Sequence, residues 1–96
     1  MATYPVGGEW VFKRSGVGTD PKNSRSYVSF ILTDAVGHRL DLEFKRTPKR
    51  CTLLQCTIYS SSWHTLVTLN KDDKRLKTFG ITKVVKQYQP LVFLMT

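Results

Sequence analysis

Residues His38 to Lys45, HRLDLEFK, constrain this chain more than any other stretch. Leu40, Leu42 and Phe44 fall on one side of an extended backbone. Arg39, Asp41, Glu43 and Lys45 fall on the other. Alternation of period two marks an antiparallel strand with one buried and one wet face. Upstream, Ser26 to Thr33 (SYVSFILT) reads as a second strand, and Asp34-Ala-Val-Gly37 supplies the turn between them. Tyr27 to Lys45 is therefore expected to be a β-hairpin.

Pro48 ends that hairpin and leads into Cys51 to Leu69, which contains no Lys, Arg, Asp or Glu. Thr52 to Tyr59 and Thr65 to Leu69 are rich in residues that suit a pleated surface. Ser60 to Trp63 reads as their turn. Neither strand has a clean polar face, so a central position covered on both sides, or a dimer contact, is expected. Earlier in the chain, Glu9 to Arg14 reads as a short strand with Trp10 and Phe12 on one face. Ser15 to Arg25 is rich in turn formers and reads as a surface loop, and residues 1–8 as a loose arm.

Near the C-terminal end of the sequence, Ile81, Val84, Val85 and Tyr88 recur at the helical period. The β-branched run Ile81 to Val85 argues for a strand instead, but the period favours a short helix. Thr78 is the expected cap and Gln89-Pro90 the expected stop. Leu91 to Met95 reads as a buried last strand or an adhesive edge. The expected fold is mainly β, bordering on α+β. It is a single 96-residue domain holding one antiparallel sheet, barrel or sandwich of five to six strands, with one short C-terminal helix.

Charge narrows the function classes. Fifteen Lys and Arg against seven Asp and Glu give a net charge of +8, which favours anionic partners. Two basic clusters flank the neutral run: Lys45, Arg46, Lys49 and Arg50 before it, and Lys71, Lys74, Arg75 and Lys77 after it. If the run is a hairpin, its two ends lie side by side and both clusters share one end of the sheet. Cations so placed suit a phosphate backbone, while Tyr59 and Trp63 are candidates to stack bases, with Tyr27 and Tyr88 as further aromatics. Lys13, Arg14, Lys22 and Arg25 extend the basic set.

Other chemistries find less support. There is no Gly-x-Ser-x-Gly elbow, His-Glu-x-x-His motif or Gly-rich phosphate loop, and enzymatic activity is not expected. Cys51 and Cys56 are an odd number of residues apart, which puts them on opposite faces of a regular strand. No metal site, disulfide or cofactor is expected from them. Thr47-Pro48-Lys49-Arg50 fits a proline-directed phosphorylation pattern, and KRTPKR resembles a basic nuclear-import patch.

The leading expectation is a non-catalytic module for RNA or single-stranded DNA with low sequence specificity. The alternative is a protein-interaction or assembly subunit, such as a small viral accessory or scaffold protein. It would act through an apolar interface, as a homodimer or with an acidic protein partner. Two cysteines, no signal-peptide pattern and no transmembrane segment point to the cytoplasm or nucleus rather than secretion.

Overall fold

The computed structural model describes residues 4–6, 8–19 and 26–95. Five strands form one open antiparallel sheet in chain order: β1 (Val11–Thr19), β2 (Ser26–Thr33), β3 (Arg39–Arg46), β4 (Cys51–Tyr59) and β5 (Thr65–Asn70). A single helical turn, α1 (Arg75–Thr78), then α2 (Ile81–Tyr88) and a 3-10 helix (Gln89–Leu94) follow. These helical segments cover one face of the sheet. The opposite face has no second layer among the described residues.

The alternation in β3 sets the layers. Leu40, Leu42 and Phe44 face inward and pair with Leu32, Phe30 and Val28 of β2. On the other side they meet Ile58, Cys56 and Leu53 of β4. Leu69, Leu76, Ile81, Val84 and Val92 close this core from β5 and the helices. A one-residue slip in β3 would bring Asp41 and Glu43 onto that face, so the register is strongly specified.

Three bulges break the simple parity of the strands. Lys13 is unpaired between Phe12, opposite Leu32, and Arg14, opposite Ile31. Leu54 is unpaired between Leu53 and Gln55, and Leu66 between Thr65 and Val67. The Leu54 bulge overturns the argument about the cysteines: Cys51 pairs with Arg46 and Cys56 with Leu42, so both lie on the core face. They remain apart, because three paired positions of β4 and the bulge residue Leu54 separate them. Burial, reinforced by Asp41, pushes the Cys56 thiol up to about 12, and burial also raises Cys51.

Several other expectations change. Ser15 to Thr19 continues β1 rather than forming a loop, and the rest of that expected loop, residues 20–25, lies outside the described residues. β5 is an exposed edge strand, so only β4 of the neutral pair is central. Of the expected arm, Tyr4 packs edge-on against His38 and Phe79, and the Val6 amide donates to Asp34 Oδ2 at 3.0 Å. Helix α2 forms where the 3.6-residue period placed it, with Ile81 and Val84 buried. Its N-cap position is Gly80 at φ +69°, while Thr78 ends α1 and makes no cap.

Leu91 to Met95 is neither a buried strand nor a sheet edge. Pro90 sits in the first turn of the 3-10 helix, which is pinned at three points. Gln89 Nε2 donates to the Cys51 carbonyl at 2.9 Å, and the Arg46 guanidinium donates to the carbonyls of Val92 and Met95.

Candidate nucleic-acid interface

The antiparallel meander brings the β2–β3 and β4–β5 turns to the same end of the sheet. Asp34 organises the first turn. Its Oδ1 accepts from the amides of Val36, Gly37 and His38 at 2.9–3.0 Å. Its Oδ2 accepts from Val6 and lies 2.8 Å from His38 Nδ1. Burial works to raise the Asp34 pKa, but these hydrogen bonds to the ionised form outweigh it and hold the carboxyl below its ordinary value. Gly37, at φ +101°, lets this turn lie against the next: a Cβ there would stand 3.5 Å from Cβ of Ser61.

Ser60 organises the second turn. Its amide donates to the His64 carbonyl at 2.8 Å, and its Oγ accepts from the amides of Ser62 and His64. The Trp63 amide donates to the Ser60 carbonyl at 3.0 Å, closing a turn that leaves Trp63 at φ +65°. Glycine is the usual residue at such a left-handed position in a hairpin loop, and a bulky side chain there is strained by about 1–2 kcal/mol. Trp63 is the one non-glycine residue with positive φ among the described residues.

The indole lies among cations and a second ring. Arg39 Cζ lies 4.0 Å from its ring centroid and Arg14 Cζ 5.8 Å, while Tyr59 packs beside it at 5.4 Å and 60°. Trp63 is nevertheless 44% exposed. A cleft of about 370 Å³ opens here, lined by Lys13, Arg14, Arg39, Trp63, Ile31 and the Asp34–Gly37 turn. The bulge at Lys13 lets two successive cations of β1 line the same cleft, the re-aiming that bulges permit. Arg39 Nη1 is buried without a hydrogen-bond partner.

This corner is bounded on one side by acid. Asp41 follows Arg39 on the open face, with Glu43 beyond it. Burial, then the charge of Glu43, raises the Asp41 carboxyl to about 6, and its Oδ1 is also buried without a partner. Asp41 makes no ion pair with Arg39, which lies on the Trp63 ring instead.

The cations expected from sequence divide differently. Lys49 and Arg50 are exposed in the β3–β4 turn, at the far end of β4 from Tyr59 and Trp63. Arg46 is occupied in holding the 3-10 helix. Lys45 lies on the open face opposite Tyr27 and Thr52. Strand β5 ends at Asn70 opposite Gln55, short of Cys51, so the second cluster starts at a different level of the sheet from the first. Lys71, Lys74 and Lys77 are exposed around α1, and Arg75 forms a two-pronged pair with Asp73 at 2.8 and 3.1 Å. That pair raises Arg75 and lowers Asp73. Lys22 and Arg25 lie outside the described residues.

Tyr59 and Trp63 thus stand with Arg39, Arg14 and Lys13 rather than with either flanking cluster. Sequence reasoning set Arg39 aside as one polar position of an alternating strand. The signal that marks this corner is a tryptophan in the glycine slot of a serine-rich turn. No protein-family model matches the chain, and neither a curated protein nor a solved structure is significantly similar to it.

Proposed function

We propose that the protein binds single-stranded RNA or DNA, without catalysis, through the corner built by Lys13, Arg14, Arg39, Tyr59 and Trp63. The observation that carries this reading is the strained exposure of Trp63 beside two guanidinium groups. A strained backbone persists only where its surroundings over-determine it, and such residues cluster at functional sites. An indole presents a face on which any base stacks, and the neighbouring cations suit the adjoining phosphates. Asp41 and Glu43 repel a phosphate chain directed across the open face. The strand therefore engages at the corner and leaves along the turn edge rather than crossing the sheet.

A fluorescence-anisotropy titration with a labelled single-stranded RNA 10-mer tests this. Neutralising about three phosphates gives a log–log salt slope near −2 for a single strand. Trp63→Gly removes the stacking surface and weakens binding by roughly 5- to 150-fold, the equivalent of about 1–3 kcal/mol. Arg14→Glu and Arg39→Glu flatten the salt slope. Absence of salt-dependent binding by the wild type removes the proposal. Equal loss from Lys49→Glu and none from Arg14→Glu would move the site to the other end.

A further inference from the structure

The 3-10 helix at the opposite end of β4 carries a second surface. At three residues per turn, positions three apart share a ridge. Gln89, Val92 and Met95 form the inward ridge: Gln89 bonds the Cys51 carbonyl, Val92 is fully buried and Met95 packs on the core. The other two ridges are Pro90 with Phe93, and Leu91 with Leu94. Phe93 is 48% exposed, Leu91 40% and Leu94 75%. The Arg46 and Gln89 bonds lock the inward ridge, so the segment cannot roll to bury the outer two. Lys49, Arg50 and Lys86 gather with Pro90 and Phe93 around one shallow depression, which no acidic side chain among the described residues lines.

We infer that this end of the molecule docks on the surface of an anionic lipid bilayer. Leu91, Phe93 and Leu94 enter the acyl boundary while Lys49, Arg50 and Lys86 lie among the headgroup phosphates. Apolar side chains projecting from a fixed segment with a basic rim are what an interfacial anchor requires. A second copy fits worse. Two-fold pairing through these ridges would set the three cations of each copy against their equivalents. A nucleic acid would use the cations but leave two leucines with nothing to cover them. No described helix is long and apolar enough to cross the bilayer.

Co-sedimentation with phosphatidylcholine vesicles, with and without 30% phosphatidylserine, tests the inference independently of the Trp63 corner. The three cations predict partitioning about 100-fold stronger on the anionic vesicles. Phe93→Ser and Leu94→Ser, at exposed positions, each reduce it roughly tenfold. Lys49→Glu with Arg50→Glu abolishes the preference for phosphatidylserine, and Trp63→Gly changes nothing. In a Phe93→Trp variant, indole emission shifts to the blue on binding and is quenched by brominated acyl chains. Failure to bind anionic vesicles overturns the inference. So does binding that is indifferent to Phe93→Ser and Leu94→Ser, since charge alone then explains it. Sedimentation equilibrium revealing a dimer that Leu94→Ser disperses, without vesicle binding, assigns the ridges to self-association and also overturns it.

Discussion

Replacing Asp34 by alanine tests whether one carboxylate holds the two turns that frame the cleft. The side chain accepts from the amides of Val6, Val36, Gly37 and His38, and lies against the His38 ring. Not all of these losses count fully. Val36 is exposed, so its amide can turn to water, and the Gly37 amide keeps a second acceptor in the Asp34 carbonyl at 3.3 Å. That leaves the Val6 and His38 amides and the His38 ring contact, each part-buried. Hydrogen bonds to a charged group contribute about 1.5–3 kcal/mol each, and partial access to water reduces that. The expected loss is about 2–4 kcal/mol, a large share of the roughly 5–15 kcal/mol available to a domain of this size. Equilibrium urea denaturation should show a lower midpoint with an unchanged slope. The folded-state pKa of Asp34 lies below its ordinary 3.8, so its contribution is present above that value and fades as pH falls through the folded pKa. Wild type and variant should therefore converge in acid. A difference below about 1 kcal/mol at pH 7, or one that persists undiminished at pH 2, would show that Asp34 does not hold the turns.

Asp41 behaves in the opposite sense. Its folded-state pKa is raised to about 6, so the neutral form contributes stability below the ordinary 3.8 that is lost as pH rises through about 6. Asp41→Asn should stabilise the protein by about 1–2 kcal/mol at pH 7.5 and by little at pH 4, measured by thermal or urea unfolding. It should also tighten RNA binding at pH 7.5 by removing a negative charge beside Arg39. Trp63→Gly should relieve the left-handed strain while losing the Arg39 and Tyr59 contacts, leaving the unfolding free energy within about 1 kcal/mol of wild type as binding falls. Arg46→Met should free the 3-10 helix, raising hydrogen exchange in residues 89–95 more than in β2 or β3.

The layers were legible in the sequence because β3 alternates strictly and β2 must mirror it. The helix Ile81–Tyr88 was legible from its apolar period, even against the β-branched residues that fill it. The bulges were not, since each is one extra residue in an otherwise regular strand. One of them, at Leu54, reversed the face of Cys51 relative to Cys56. The 3-10 helix was hidden because LVFLM is as apolar as a buried strand. What marks a helical turn instead is Pro90 at its start, with the Val92 and Met95 carbonyls accepting from Arg46, far away in sequence. The candidate corner was half visible: Tyr59 and Trp63 stood out as aromatics flanking a turn. Their cationic neighbours Arg14 and Arg39 come from other strands, and proximity across a sheet depends on a register that bulges alter.

The two tryptophans report directly on whether RNA binds at the Trp63 corner. Trp10 Nε1 donates to the Phe79 carbonyl at 3.1 Å and is an internal control, whereas Trp63 stands at the cleft. A proton–nitrogen NMR titration with single-stranded RNA should move the Trp63 indole and the Arg14 and Arg39 side-chain resonances together. The Trp10 indole and the Lys49–Arg50 turn should stay in place. Perturbation of the Lys49–Arg50 turn with an unmoved Trp63 indole would place RNA binding at the other end of the sheet.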